Sequence, residues 1–242
     1  MKSLIKTEDY DSLASAEGLR VVYDKTTDLV WIDTPIQSLY EFVDLGLPSG
    51  LKWASCNVGA EKPEDFGLYF AWGETQGYSG ITSEKGFYWG DYKYSSGQTS
   101  STSTSFKGVT KYNSNSSNGT VDNLTVLEQV DDAAYTSDKT CRMPTKSDFE
   151  ELTANTTSVW ETLNGVNGRR FTSKTNGNSI FVPAAGYCYG GSVSGVGSYG
   201  YLWSSSLNDS NSMCAWNLYF ISDDVGMGYG FRYYGFTVRA VL

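Results

Sequence analysis

The chain has 242 residues, with 18 Lys and Arg, 27 Asp and Glu and no histidine, for a formal net charge of −9. The missing histidine excludes Ser-His-Asp and Cys-His catalysis, HExxH zinc sites and two-His iron sites. The acidic balance argues against a nucleic-acid partner, which needs a basic stripe.

Gly (26), Tyr (18) and Trp (7) are abundant and Pro (5) is scarce, a mix that suits a loop-rich, β-leaning globular fold. No apolar run is long enough to span a bilayer, so no membrane insertion is expected. The opening Met1-Lys2-Ser3-Leu4-Ile5-Lys6 is no signal peptide as it stands. That leaves a chain that stays inside its cell, one whose signal was removed, or one that leaves by another route such as a phage particle.

Residues 1–40 read as a separate small unit. Leu19-Arg20-Val21-Val22-Tyr23 and Leu29-Val30-Trp31-Ile32 are strand-like runs around the turn residues Asp24-Lys25-Thr26-Thr27-Asp28, which predicts a β-hairpin. A lone hairpin is marginal in water, so this unit is expected to attach the protein or make it a homo-oligomer. Pro35 and Ser38 mark the boundary to a second unit, 41–242.

In the second unit, nine of the eleven residues Ser95 to Ser105 are Ser or Thr, and 113–120 continue the bias; this predicts a long surface loop. Pro144 followed by Thr145-Lys146-Ser147-Asp148 has the form of a capping box, predicting a helix at about 145–154 with Phe149, Leu152 and Ala154 on its apolar side. A weaker helix is expected near 124–135. Beyond Ser179, 180–182, 201–206, 216–221, 228–234 and 236–241 read as strands. Few helices, many short strands and long loops make an α+β class.

The four cysteines, Cys56, Cys141, Cys188 and Cys214, form no CxxC unit, which leaves three disulfide pairings or four free thiols. Asp131-Asp132 and Asp223-Asp224 are paired carboxylates that either suit a hard cation or bond to backbone amides. Trp53, Trp72, Trp203 and Trp216 sit in apolar runs and are expected in the core. Trp89, in the looser Gly86-Phe87-Tyr88-Trp89-Gly90, is the best candidate for stacking on a sugar.

An ordered set of motifs carries a resemblance. The run from Glu41-Phe42-Val43-Asp44-Leu45-Gly46-Leu47-Pro48-Ser49-Gly50 to Leu51-Lys52-Trp53-Ala54-Ser55-Cys56-Asn57-Val58-Gly59 is followed by Tyr69-Phe70-Ala71-Trp72-Gly73-Glu74, Arg142-Met143-Pro144-Thr145, Phe181-Val182-Pro183-Ala184-Ala185-Gly186, Leu202-Trp203-Ser204-Ser205-Ser206 and Val238-Arg239-Ala240-Val241. Over 41–242 this resembles the Fibrobacter succinogenes major paralogous domain family. The resemblance implies a C-type-lectin-like fold of the formylglycine-generating-enzyme type, with two short helices and a ligand face built late in the chain. The enzyme of that branch uses two nearby cysteines, whereas Cys188 and Cys214 here stand 26 positions apart.

The ending from Ala215-Trp216-Asn217-Leu218-Tyr219-Phe220 to Val238-Arg239 resembles the variable region of target proteins of diversity-generating retroelements. It implies frame residues Trp216, Leu218, Phe220, Ser222, Asp223, Met227, Arg232, Gly235, Val238 and Arg239. Between them it implies a ligand-binding surface, within about 200–236, made of Tyr219, Ile221, Asp224, Val225, Gly226, Gly228, Tyr229, Gly230, Phe231, Tyr233, Tyr234 and Phe236. Read as one strand, 229–236 puts Tyr229, Phe231 and Tyr233 on one face and Arg232, Tyr234 and Phe236 on the other. Rings on both faces mean either an exposed aromatic surface or a central strand buried on both sides.

The expectation is therefore a non-enzymatic protein with no cofactor and no metal. It binds a protein or carbohydrate ligand on a cell surface, and itself sits at a cell surface or on a phage particle; by resemblance, related phage receptor-binders are trimers. Two rivals are a formylglycine-generating-type oxidase and an undiversified surface adhesion subunit.

Overall fold

The computed structural model describes residues 2–5, 20–24, 29–33, 38–80, 85–96 and 108–242, the first three stretches as backbone alone. The chain divides into two units, Met1–Leu39 and Tyr40–Leu242. In the first, β1 (Lys2–Ile5), β2 (Arg20–Asp24) and β3 (Leu29–Asp33) form an antiparallel sheet in the order β1-β3-β2. The β2–β3 hairpin is the one the two apolar runs predict. Strand β1 is an addition: Ser3-Leu4-Ile5, flanked by lysines, is too short to read as a strand alone, and it forms by pairing Leu4 with Trp31 of β3. The expected turn residues 25–28, Pro35 and most of the Ser/Thr run lie outside the described residues.

The second unit is α+β and β-rich. Strand β5 (Lys52–Asn57) is the centre of a three-stranded sheet, pairing with β4 (Phe42–Asp44) on one side and with the final strand β14 (Arg239–Val241) on the other, so the end of this unit closes onto its own first strands through Arg239↔Asn57 and Val241↔Trp53. A meander of β6 (Thr156–Leu163), β7 (Val166–Ser173) and β8 (Ser179–Pro183) forms a second sheet. A hairpin pairs β9 (Tyr187–Tyr189) with β10 (Ser192–Ser194). Strands β11 (Gly200–Leu207), β12 (Cys214–Phe220) and β13 (Val225–Phe231) form a third sheet in chain order.

Among the described residues two helices accompany the sheets. Helix α1 (Ala133–Ser137) is a single short turn capped by Asp132, whose carboxylate accepts from Tyr135 N at 2.9 Å and from Met143 N at 2.9 Å. The expected helix at 124–135 is thus replaced by a 3-10 turn, Gln129–Asp131, and this short α1. Helix α2 (Lys146–Asn155) starts where the capping box predicts, with Thr145 Oγ1 accepting from Asp148 N and Asp148 accepting from Thr145 N. Its Phe149 and Leu152 are fully buried, the Phe149 ring lying 5.3 Å from that of Trp53; Ala154, expected beside them, is exposed.

Two buried clusters fill the unit. One gathers Trp72, Tyr92, Tyr112, Trp203, Phe236 and Val238; the other gathers Trp53, Phe149, Leu152, Phe171, Leu218 and Phe220. The β11–β13 sheet separates them: Leu202, Leu218 and Phe220 face the second cluster while Trp203 and Ala215, one residue out of phase, face the first.

Two arginines lock the frame. The buried Arg232 guanidinium donates to the carbonyls of Lys111, Tyr112 and Ser212 and to Tyr92 Oη, at 2.9–3.1 Å, and lies 4.9 Å from the Trp72 ring. Arg239, equally buried, donates to Ala54 O, Phe181 O and Asn57 Oδ1 at 2.9 Å. The guanidinium offers five donors in a fixed planar fork, against three on a lysine ammonium, and so ties several carbonyls in one plane.

Three expectations from the sequence need correction here. The strand read through 228–234 stops at Phe231, because Arg232 and Tyr233 turn inward to place the guanidinium; the strand read over 236–241 is regular only at β14. Trp89 is 1% exposed, in a 3-10 turn (Trp89–Asp91) with its ring against Tyr92 and Tyr233, so it offers no sugar platform.

Candidate ligand-binding face

Alternation along β12 and β13 sorts the expected site residues onto two opposite faces. Register pairs Trp216 with Tyr229, Leu218 with Met227 and Phe220 with Val225 on the side of helix α2. There Val225 and Met227 pack on the second cluster, and Tyr229, 63% exposed, meets the Trp216 ring edge-on at 6.0 Å. Lys146 Nζ sits 4.9 Å from the Trp216 ring, so Trp216 is a half-buried surface residue, not the core residue its apolar run implied.

The other face carries Tyr219, Gly226, Gly228 and Gly230 together with Tyr201 and Trp203 of β11. Ile221 and Asp224 form the hairpin turn between β12 and β13, with Ile221 N donating to Asp224 O at 2.9 Å. Phe231 ends β13 with its ring 5.6 Å from Tyr233 and 5.7 Å from Tyr234.

On the glycine side the rings form a continuous belt. Centroid distances run Tyr88–Tyr189 6.2 Å, Tyr189–Tyr234 5.1 Å, Tyr234–Tyr187 6.1 Å, Tyr187–Tyr201 5.6 Å, Tyr201–Tyr219 5.2 Å and Tyr219–Tyr199 6.4 Å. All of these tyrosines are partly or well exposed. They come from the segment before the 3-10 turn, from β9, from the turn before β11, from β11 and β12, and from the loop after β13.

Tyr233 and Phe236, expected in the exposed set, are instead 4% and 2% exposed. They are the floor of the belt: Phe236 stacks under Tyr201 at 4.6 Å and on Trp203 at 4.2 Å, and Tyr233 supports Tyr234 at 5.0 Å. The inward turn at Arg232 is the reason, since it drives the following residues under the sheet. Conversely, Tyr88, Tyr187, Tyr189, Tyr199 and Tyr201 belong to the face although the C-terminal resemblance did not mark them. The Gly-rich, Tyr-rich run 186–201 was the available signal.

Glycines set the shape of this face. A Cβ at Gly226 would meet nothing within 4 Å, so the strip is open there. At Gly230 it would stand 2.8 Å from the Phe236 ring, and at Gly235 2.7 Å from Cys188 Cβ, so both positions are closed. Beneath Gly228 lies Asn217, 1% exposed, with neither amide atom bonded to protein among the described residues; its Oδ1 would stand 3.2 Å from a Cβ at Gly228. A buried amide left unpaired costs about 1–3 kcal/mol.

The Tyr201 and Tyr219 hydroxyls of the belt stay neutral. Burial pushes the Tyr201 hydroxyl up to about 12; burial first, then the neighbouring Tyr199, Asp224 and Asp223, raises Tyr219. These hydroxyls stay protonated and act as hydrogen-bonding groups on apolar bodies. All four cysteines are free and buried; burial raises Cys188 to about 12 and Cys214 to about 11. Among the described residues no group of three or more Cys, Asp or Glu side chains is arranged to hold a metal, and no helix is long and apolar enough to cross a membrane. Asp131, half of one candidate carboxylate pair, is bonded to Lys93, Lys111 and Tyr112, and Asp132 is the α1 cap.

Comparison with protein-family models, curated proteins and solved structures finds no match to this chain.

Proposed function

We propose that this chain is a non-enzymatic ligand-binding protein whose tyrosine belt recognises a protein or glycan at a cell surface. In this reading the second unit is a C-type-lectin-like frame, the hairpin and β13 belong to a region diversified by a retroelement, and the first unit serves attachment or self-association. The observation that carries it is the unbroken chain of partly exposed tyrosine rings on a floor of buried rings. Tyrosine supplies large, rigid contact area at low entropic cost together with a hydroxyl, and exposed ring clusters of this extent mark recognition surfaces. The two buried arginines support the same reading, because they hold the frame by main-chain carbonyls and leave surface side chains free to differ.

The oxidase reading draws less support. Thiol chemistry needs an accessible thiolate, and Cys188 and Cys214 are both buried with raised pKa values. A neighbouring reverse-transcriptase gene with a template copy of the 200–242 coding segment would separate a diversified receptor-binder from an undiversified adhesion subunit.

Selection on a phage-displayed random-peptide library and on a glycan array tests the belt directly. Binders selected on the intact chain are expected to lose about tenfold or more affinity for Tyr199→Ala and Tyr219→Ala, a hot-spot loss, with the unfolding midpoint little changed. Tyr229→Ala, on the opposite face, is expected to bind normally. Binders indifferent to both belt substitutions would sink the proposal.

A further inference from the structure

The belt sits in a one-signed electrostatic setting. Between residues 175 and 242 the basic side chains are Arg232 and Arg239, and both are 0% exposed, held by carbonyls. The acidic residues of the same stretch, Asp209, Asp223 and Asp224, are all exposed. Asp223 and Asp224 form the β12–β13 turn at the Tyr219 end of the belt and act on the Tyr219 hydroxyl. At the other end Asp91, also exposed, lies beside Tyr88: a Cβ at Gly86 would stand 2.6 Å from the Tyr88 ring and 3.0 Å from the Asp91 carboxylate.

Among the described residues two cations lie near these segments, and both are already engaged. Arg169 lies under the hairpin turn, its Nη2 on Ile221 O at 3.0 Å and Ser222 O at 3.2 Å, and it offsets part of the Asp223–Asp224 charge from below. Lys85 is paired with Glu74, its side chain 9% exposed, against the Tyr78 and Phe87 rings. Among the described residues the belt therefore has carboxylates at both ends and presents ring faces, themselves negative, between them.

Resting on the proposed role of the belt, we infer that its occupant is a basic, arginine-bearing segment of a partner protein. A guanidinium stacks on tyrosine faces and carries further donors for terminal carboxylates; acidic glycans and acidic peptides meet like charge at both ends. The open position at Gly226, and the absence of any side chain at Gly228, give such a segment room to lie along β13 while its side chains reach the rings. Encounter is steered by charge, so binding weakens with salt.

The test uses the full chain with isotope-labelled tyrosine rings and three probes: a capped Gly-Arg-Gly-Arg-Gly peptide, its Gly-Glu-Gly-Glu-Gly counterpart and lactose. The arginine peptide is expected to shift the ring resonances of Tyr199, Tyr201 and Tyr219, and the glutamate peptide to leave them in place. The double variant Asp223→Asn, Asp224→Asn is expected to weaken the arginine peptide about three- to tenfold with an unchanged unfolding midpoint, as is a rise in salt from about 0.05 to 0.5 M. Equal response to both peptides, or no response to salt and to the double variant, overturns the cationic assignment. Rings moved by lactose alone overturn it and leave the belt as a recognition surface; rings moved by no probe also overturn it, while the peptide-library selection judges the belt independently.

Discussion

Asn217 is the residue whose chemistry is hardest to account for by stability alone. It is buried between Trp203 and Gly228 in the middle strand of the β11–β13 sheet, and its amide finds no protein partner among the described residues. An apolar side chain of similar size avoids the desolvation penalty. Asn217→Leu is therefore expected to be as stable as the parent or more stable by about 1 kcal/mol in denaturant unfolding, and to alter binding at the belt above it. A loss of more than about 1 kcal/mol instead would mean that the amide is satisfied in solution and serves packing. The sequence gives no hint of this residue, because burial of an amide depends on which strands flank it. By contrast the resemblance of the C-terminal segment implied frame roles for Leu218, Phe220, Arg232, Val238 and Arg239, and all five are fully buried, whereas Ser222 and Asp223 of the same implied frame are exposed in the hairpin turn.

At the scale of one element, β13 shows both what alternation predicts and where it fails. Counting by two places Val225, Met227 and Tyr229 on one side and the glycines on the other, and the register confirms that split. Past Phe231 the count no longer applies and does not foresee the burial of Tyr233 and Phe236, because long-range bonds from Arg232 to 111–112 and 212 end the strand there. No local pattern announces such bonds. The same contrast holds for the helices: α2 is written in its own cap, whereas the loop between 108 and 131 is held by partners far along the chain. Within β13 the glycines are not equivalent. Gly226→Ala enters open space and is expected to change unfolding free energy by less than about 0.5 kcal/mol, or to raise it slightly through lost chain entropy. Gly230→Ala presses on the Phe236 ring, which itself lies against Trp203, and is expected to cost about 1–3 kcal/mol. Equal effects of the two in urea unfolding would mean that the floor of the belt yields easily.

Across the whole second unit, polar ties between distant segments do what regular secondary structure does elsewhere. Asp131 is the clearest case. Lys93 Nζ donates to its Oδ1 at 2.7 Å, and Lys111 Nζ and Tyr112 Oη donate to its Oδ2 at 2.6 Å, so one carboxylate joins three segments. Burial acts to raise this carboxyl, but the bonds from Lys111, Lys93 and Tyr112 outweigh it and hold the pKa well below the usual carboxylate range. A folded-state value below the unfolded one stabilises the fold above the unfolded pKa, about 3.9, and that contribution is lost as pH falls toward the folded value. Its neighbour Asp132 has the opposite sign: burial raises it despite the backbone bonds from Tyr135 and Met143, so its charge costs stability at neutral pH and protonation relieves the cost. Asp131→Asn keeps the shape and removes the charge that both lysines meet. It is expected to lower stability at neutral pH by about 2 kcal/mol and, in unfolding curves taken from pH 7 down to about 3, to decline less steeply than the parent. Asp132→Asn removes the opposing contribution, so its acid limb is expected to be the steeper of the two. Parallel acid limbs for parent and Asp131→Asn would show that this carboxylate, although it joins three segments, does not govern how the unit responds to acid.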